Sequence, residues 1–204
     1  MKKTTKPYCL LLVLLVSACA ATNSPAPISN HEKISQWQQA AQAGQAAAQF
    51  RLGGAYMVGQ GVPKDNAKAA EWLQKSANQG YAPAQNALSV MYLKGMGVEK
   101  DEAKSLQWLT KSAAQGYALA QYNLAMLYKN GRIIAKDEVQ AVAWLQQAAS
   151  QGDAKAQGRL GEMYESGIGI QQNTAKAMEW LQKAADQGDS EAKSRLAGIH
   201  ARVK

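Results

Sequence analysis

The nonapeptide WLQKAADQG at Trp180–Gly188 has near copies earlier in the chain, WLQKSANQG from Trp72, WLTKSAAQG from Trp108 and WLQQAASQG from Trp144, one every 36 residues. A fixed period of this length constrains the fold more than any single motif. Each unit must be a supersecondary element that covers its apolar face with the next copy. Gly44, Gly80, Gly116, Gly152 and Gly188 form one column at this spacing, and Leu52, Leu88, Leu124, Leu160 and Leu196 another. Tyr56, Tyr92, Tyr128 and Tyr164 form a third. Four full units follow: Gln45 to Gly80, Tyr81 to Gly116, Tyr117 to Gly152 and Asp153 to Gly188.

Within a unit, Ala48, Leu52, Ala55, Tyr56 and Gly59 fall at helical intervals and make one face of a first helix. The stretch GQGVPKD, Gly59 to Asp65, is a turn, with glycines for positive φ and a proline that cannot continue a helix. Asp65 is placed to accept from the free N–H groups of a second helix. Ala69, Trp72, Leu73, Ser76 and Ala77 then repeat at i, i+3, i+4, i+7 and i+8, and Gly80 stands just past the end. Tryptophan and leucine are the expected buried knobs, and the small residues after them let a neighbouring helix approach. The abundance of alanine and the scarcity of β-branched and aromatic residues agree with an all-α chain.

Single helices are expected to close the stack. Trp37 lies 36 residues before Leu73, with Gln36 in the tryptophan column, so residues 31–44 predict an N-terminal capping helix. Ala192, Leu196 and Ile199 continue the first-helix columns while His200 replaces the tyrosine, so residues 189–204 predict a C-terminal cap with a polar outer face.

The pattern A-x-x-x-L-G-x-x-Y-x-x-G-x-G-V-x-x-D followed by K-A-x-x-W-L-x-K-A-A-x-Q-G resembles the SEL-1-like repeat, a relative of the tetratricopeptide repeat. Unit one carries it in Ala48, Leu52, Gly53, Tyr56, Gly59, Gly61, Val62, Asp65, Lys68, Ala69, Trp72, Lys75, Ala77, Gln79 and Gly80. The resemblance covers residues 45–188. It implies a right-handed α-solenoid of stacked helix-turn-helix repeats whose members act as adaptors for other proteins, including exported bacterial members in envelope assembly, secretion and host contact. Ile133 stands where the third unit should have its second glycine, and Asn173 replaces the capping aspartate of the fourth, so these two turns are expected to differ in shape. The disulfide-stapled branch of the family has a cysteine pair in each repeat, and this chain has none there.

Residues 1–18 have the layout of a secretory signal: Lys2, Lys3 and Lys6, an apolar run from Cys9 to Val16, then small residues. That run is too short to span a bilayer as a permanent helix. Val16-Ser17-Ala18-Cys19 resembles the lipobox of bacterial lipoproteins, which implies cleavage before Cys19 and acylation of that residue with palmitate-like chains. Several acyl chains, at about 0.8 kcal/mol per buried methylene, anchor a protein firmly. Ala20 follows, where inner-membrane lipoproteins often carry Asp, so the resemblance implies the outer membrane, facing the periplasm. Residues 19–30, with the Pro- and Ser-rich ATNSPAPISN, read as a flexible tether. An ordinary signal peptide cut near Ala18 or Ala21 is the alternative.

Loss of Lys2, Lys3 and Lys6 lowers the formal net charge from +8 to +5, and the remaining basic residues are interspersed with acids. That excludes a nucleic-acid footprint built on a basic run with interleaved aromatics. No catalytic site, cofactor or metal is expected. His31-Glu32 begins H-E-x-x-H but Ser35 stands where the second histidine belongs, and His200 lies at the other end of the chain. Ser190-Glu191-Ala192-Lys193 matches the S-x-x-K of penicillin-recognising enzymes, without S-D-N or K-T-G, at a helix start where serine commonly caps. The Gly-x-Gly pairs lack G-K-[ST] and recur as turns, and Glu162 with Glu165 reads as an exposed acidic face.

The columns of residues 50, 54 and 57 are left over once the packing columns are assigned, and they do not repeat. Phe50, Met57, Val90, Leu93, Tyr122 and Met126 form an apolar strip over three units, with Lys129, Glu162 and Glu165 beyond it. Such a strip on the concave side suits a peptide or helix of another protein, and additional helix-to-helix core is the alternative. Arg51, Arg159 and Arg195 share a further column and read as a solvated edge. The expected function is a lipid-anchored, non-catalytic scaffold or adaptor whose partner is another envelope protein or peptide. The alternatives are an immunity protein against a periplasm-delivered toxin and, in another class, a cell-wall or β-lactam hydrolase.

Overall fold

A computed structural model of the chain describes residues 30–203, and among them the regular structure is entirely α-helical. The order is α1 (Asn30–Gln42), α2 (Ala46–Val58), α3 (Asn66–Asn78), α4 (Ala82–Lys94), α5 (Glu102–Ala114), α6 (Ala118–Asn130), α7 (Glu138–Ser150), α8 (Ala154–Ser166), α9 (Thr174–Asp186) and α10 (Ser190–Val203). Each helix packs on its sequence neighbours, so α2/α3, α4/α5, α6/α7 and α8/α9 are four stacked hairpins capped by α1 and α10. The expected solenoid and both capping helices are present. The signal, Cys19 and the tether fall outside the described residues.

The local chemistry starts and stops the helices where the columns predict. Asp65 Oδ1 accepts from the N–H of Lys68 at 3.0 Å, and Asp101 and Asp137 cap α5 and α7 in the same way. The capping residue's own N–H closes the turn by donating to the tyrosine carbonyl of the first helix, as from Asp65 to Tyr56 at 2.9 Å. Asn173 keeps this geometry: its φ and ψ of −152° and 100° match the −152° and 99° of Asp65, and its Oδ1 accepts from Lys176. The expected change of shape at that turn does not occur, because only the acceptor oxygen is needed and asparagine supplies it.

The third turn does differ. Gly97 and Gly169 hold φ near +70°, and a Cβ on them would lie 2.0 Å from the carbonyl oxygen of Asn66 and 2.3 Å from that of Glu138. The second glycine of the turn therefore rests on the start of the preceding hairpin's second helix. No described non-glycine residue has positive φ, so Ile133 cannot reproduce that conformation and the third turn follows another path.

Leu73, Leu145 and Leu181 are 1% exposed or less, and Leu52, Leu88, Leu124 and Leu160 are equally enclosed. Gly53 and Gly161 let the hairpins close: a Cβ there would lie 2.8 and 2.7 Å from Cγ of Leu73 and Leu181. The tryptophans correct the expectation of fully sheltered knobs. Trp72, Trp108, Trp144 and Trp180 are half-buried. Trp72 lies against Ala41, Ala48 and Leu52 of the preceding elements, and its face meets the Lys75 ammonium 4.2 Å from the ring centroid. Lys111 and Lys183 cover Trp108 and Trp180 at 4.6 and 4.2 Å. An indole wide enough to cover the core formed by the preceding helices has a second face at the surface, and a cation favours that face.

A column of glutamines links the hairpins. Gln49, Gln85, Gln121 and Gln157 are buried, and each donates to the carbonyl at the end of the preceding second helix: Ala41, Ala77, Ala113 and Ala149, at 3.1 to 3.2 Å. Each also accepts from the glutamine that ends its own hairpin, Gln79, Gln115, Gln151 or Gln187, at 2.6 to 2.8 Å. Each of these helix C-terminal carbonyls also accepts from the N–H of the glycine three residues on, so the column adds a second, inter-hairpin donor once per repeat.

Candidate functional site

The six residues of the leftover columns lie on successive first helices: Phe50 and Met57 on α2, Val90 and Leu93 on α4, Tyr122 and Met126 on α6. All six are half-buried. Phe50 and Met57 pack on the cluster of Leu73, Leu88 and Met91, and Tyr122 and Met126 on the cluster of Leu145 and Leu160. These four support the core while leaving part of each side chain at the surface, and Val90 and Leu93 are likewise partly exposed on α4. Val58 is 64% exposed and, four residues from Gly54, extends the strip on α2. Sequence reasoning passed over it because its column continues as Lys94, Asn130 and Ser166.

The fourth unit changes character. Gly158 takes the position of Phe50 and Tyr122, and a cleft of about 310 Å³ opens beside Tyr122 and Ala192, with Leu181 among its walls. Its rim is charged. The Glu162 side chain is 12% exposed and has Arg159 Nη1 at 2.7 Å, Arg195 Nε at 3.0 Å and Lys129 Nζ at 3.9 Å. Glu191 holds Arg159 and Arg195 from α10, at 3.4 and 3.5 Å, and Glu165 holds Arg195 and Arg202. The hydrogen bond to Glu162 makes Arg159 still harder to deprotonate than an ordinary guanidinium.

These contacts correct two expectations. Glu162 and Glu165 are not an exposed acidic face, and Arg159 and Arg195 are not a solvated edge. Together they join α6, α8 and α10, while Arg51, with no glutamate column facing it, is exposed. Ser190 does not cap α10. Asp189 does, its Oδ1 accepting from the N–H of Ala192 at 2.9 Å, and Ser190 and Lys193 are exposed. His200 is exposed, and no group of three or more His, Cys, Asp or Glu among the described residues is placed to hold a metal ion.

The Sel1 repeat profile matches residues 46–81, 82–117, 118–153 and 154–189, within one residue of the units read from the columns. The chain belongs to the Sel1 repeat family. Among solved structures it is similar to a Sel1 repeat protein from Oxalobacter formigenes, at 40% identity and a TM-score of 0.81 over 85% of this chain and 50% of that one. It is also similar to c5321, a protective antigen of uropathogenic Escherichia coli strains displaying an SLR fold, at 36% identity and a TM-score of 0.79. That match covers 83% of this chain and 36% of the antigen. The Sel1-repeat chain thus spans about half of one relative and about a third of the other. The immunity protein Pa5087 from Pseudomonas aeruginosa is 28% identical, with a TM-score of 0.58 over 85% of this chain and 64% of its own. A search of curated proteins returns no match. Among the described residues, no helix is long and apolar enough to cross a membrane.

Proposed function

We propose that this Sel1-repeat protein is a lipid-anchored adaptor of the bacterial envelope, held to the outer membrane through Cys19 and facing the periplasm. Its first-helix face grips an extended or helical segment of another protein. The observation that carries this reading is the contrast between columns. Positions that pack the stack repeat with little change, whereas Phe50, Met57, Val90, Leu93, Tyr122 and Met126 vary from unit to unit and keep surface exposed. A surface that only had to stack would repeat like the rest. Half-buried aromatic, Met and Leu side chains supply anchor area at low entropic cost.

Capture of an envelope partner by the intact protein tests the groove. Leu93→Glu and Tyr122→Glu should each weaken capture at least about tenfold, because a charge placed in an apolar contact costs more than 1.4 kcal/mol. Unchanged capture by both variants, with unchanged thermal unfolding, defeats the proposal. For the anchor, Cys19→Ser should move the protein from the membrane fraction to the soluble fraction, and retention in the membrane defeats that part.

The similarity to the immunity protein Pa5087 favours a second reading, in which the gripped segment belongs to a toxin delivered to the periplasm. Cells directing such a toxin to the periplasm should survive only when the chain is co-expressed. Equal killing with and without it removes this reading and leaves the adaptor intact.

A further inference from the structure

Residue 50 of the first unit and residue 81 at the start of the next form a recurring pair. In unit one the rings of Phe50 and Tyr81 lie 5.5 Å apart, tilted by 58°. One period on, the pair is Asn86 and Tyr117, then Tyr122 and Asp153, then Gly158 and Asp189. The chain therefore carries an aromatic residue at this position in units one and three, the second time with an aspartate at the paired position. In unit four the aspartate is kept and the side chain is missing.

What remains is the cleft of about 310 Å³ beside Tyr122, at the low end of the ~300–1,000 Å³ range of ligand pockets and sized for one side chain. Gly158 is helical, without positive φ, and a Cβ built on it would lie 3.2 Å from Asp189 Oδ2 and 3.8 Å from Cβ of Ala184. The glycine is thus not required by backbone conformation; its effect is the space. Asp189 Oδ1 is used by the N–H of Ala192, while Oδ2 borders the cleft and has no ion-pair partner among the described residues. Lys155, also lining the cleft, has none either. Arg159 is taken up by Glu162 and Glu191. The cleft thus offers a ring wall, one free donor and one free acceptor, with the enclosed Leu181 and Ala192 beneath. A side chain with a full charge would meet both signs, whereas a phenol can donate to one and accept from the other.

We propose that the cleft is the seat of a tyrosine side chain from the protein segment bound along the first-helix face, its ring against Tyr122 and over Leu181 and Ala192. Its hydroxyl lies between Lys155 and Asp189. This rests on the groove reading above and names the anchor residue of the partner. It places the anchor at the charged end of the strip.

The test uses the intact chain and N-acetyltyrosinamide, with saturation-transfer NMR reporting binding to the ring protons. A dissociation constant of about 1 mM is expected for so small a probe. N-acetylleucinamide and N-acetylargininamide should bind at least about tenfold more weakly, and Gly158→Met should weaken the tyrosinamide by a similar factor while retaining the wild-type melting temperature. Gly158→Ala, which adds one carbon at a helical position, should give a smaller loss and serves if the methionine variant does not fold. Absence of transfer to the tyrosinamide, equal binding by either comparison compound, or undiminished binding by both Gly158 variants overturns the proposal. The probe does not involve the partner, so its failure leaves the Leu93→Glu result standing. Loss of the groove reading, in turn, leaves the probe's result to stand by itself.

Discussion

Gln79 Nε2 donates to Oε1 of Gln49 across 2.6 Å, and Gln49 in turn donates to the carbonyl of Ala41, so a helix end in one element is tied to the last residue of the next hairpin through one buried amide. The same relay recurs at Gln85, Gln121 and Gln157. Its consequence is a stack whose layers are joined by directional contacts as well as by apolar burial.

Gln85→Leu should therefore destabilise the protein by about 1–3 kcal/mol, because it removes the hydrogen bond its buried amide donates to the carbonyl of Ala77 and the one it accepts from Gln115. Gln107→Leu, on the exposed side of α5, should stay within about 0.5 kcal/mol. Urea unfolding checks both, with the midpoint of the first variant falling at an unchanged slope.

Glycine substitutions should separate by what a Cβ would meet. Gly97→Ala combines positive φ with a clash at 2.0 Å against the backbone of Asn66 and should cost about 3 kcal/mol or more. Gly198→Ala, in α10 with nothing within 4 Å, should stabilise by about 0.5–1 kcal/mol. A loss at Gly198 or a neutral result at Gly97 in thermal unfolding would contradict the turn packing described above.

The charge cluster should hold the C-terminal cap. Glu162→Gln removes the anion between Lys129, Arg159 and Arg195 and should cost about 1–3 kcal/mol, the side chain being mostly enclosed. Amide exchange should accelerate in α10 before it does so in α1. Glu179→Gln, which removes only the exposed pair with Lys183 in α9, should leave stability nearly unchanged.

Acid should weaken the helix starts. Asp65 and Asp101 are held below the ordinary carboxylate value of 3.8, first by the backbone N–H of Lys68 and Lys104 and then by the lysine ammonium groups. A carboxylate that is more acidic in the folded state stabilises fully above its unfolded value and loses that contribution as pH falls through its folded value. The melting temperature should accordingly decline below about pH 4 through these two sites. Asp65→Asn with Asp101→Asn should flatten part of that decline, since Asn173 shows that an uncharged cap preserves the turn. An unaltered acid slope in the double variant would exclude this assignment.

Much of the architecture was legible in one dimension. Small, kinked or large residues at one spacing can serve only one place in a hairpin, so Gly80, Leu73 and Asp65 announce a stop, a knob and a cap. The glutamine column was just as regular, yet a search for apolar periodicity passes over Gln49 and its copies because they look like surface residues. The half-exposed apolar strip was legible only by subtraction, as the columns that fail to repeat. The cleft was not, although Gly158 stood in that same column. Glu162 was misread because its three cations come from α6, α8 and α10, and an i, i+3 pair of glutamates looks solvated until those helices are stacked.

The sequence by itself determined the period, the hairpin, the turns and the two caps, because each depends on contacts within a few residues or on one column repeated at fixed spacing. Only the tertiary structure decided that the indoles keep one face at the surface, that buried amides relay between layers, and that charges from three helices meet at Glu162 beside a cleft. Those depend on distances between residues tens of positions apart, which become short only when the hairpins pack.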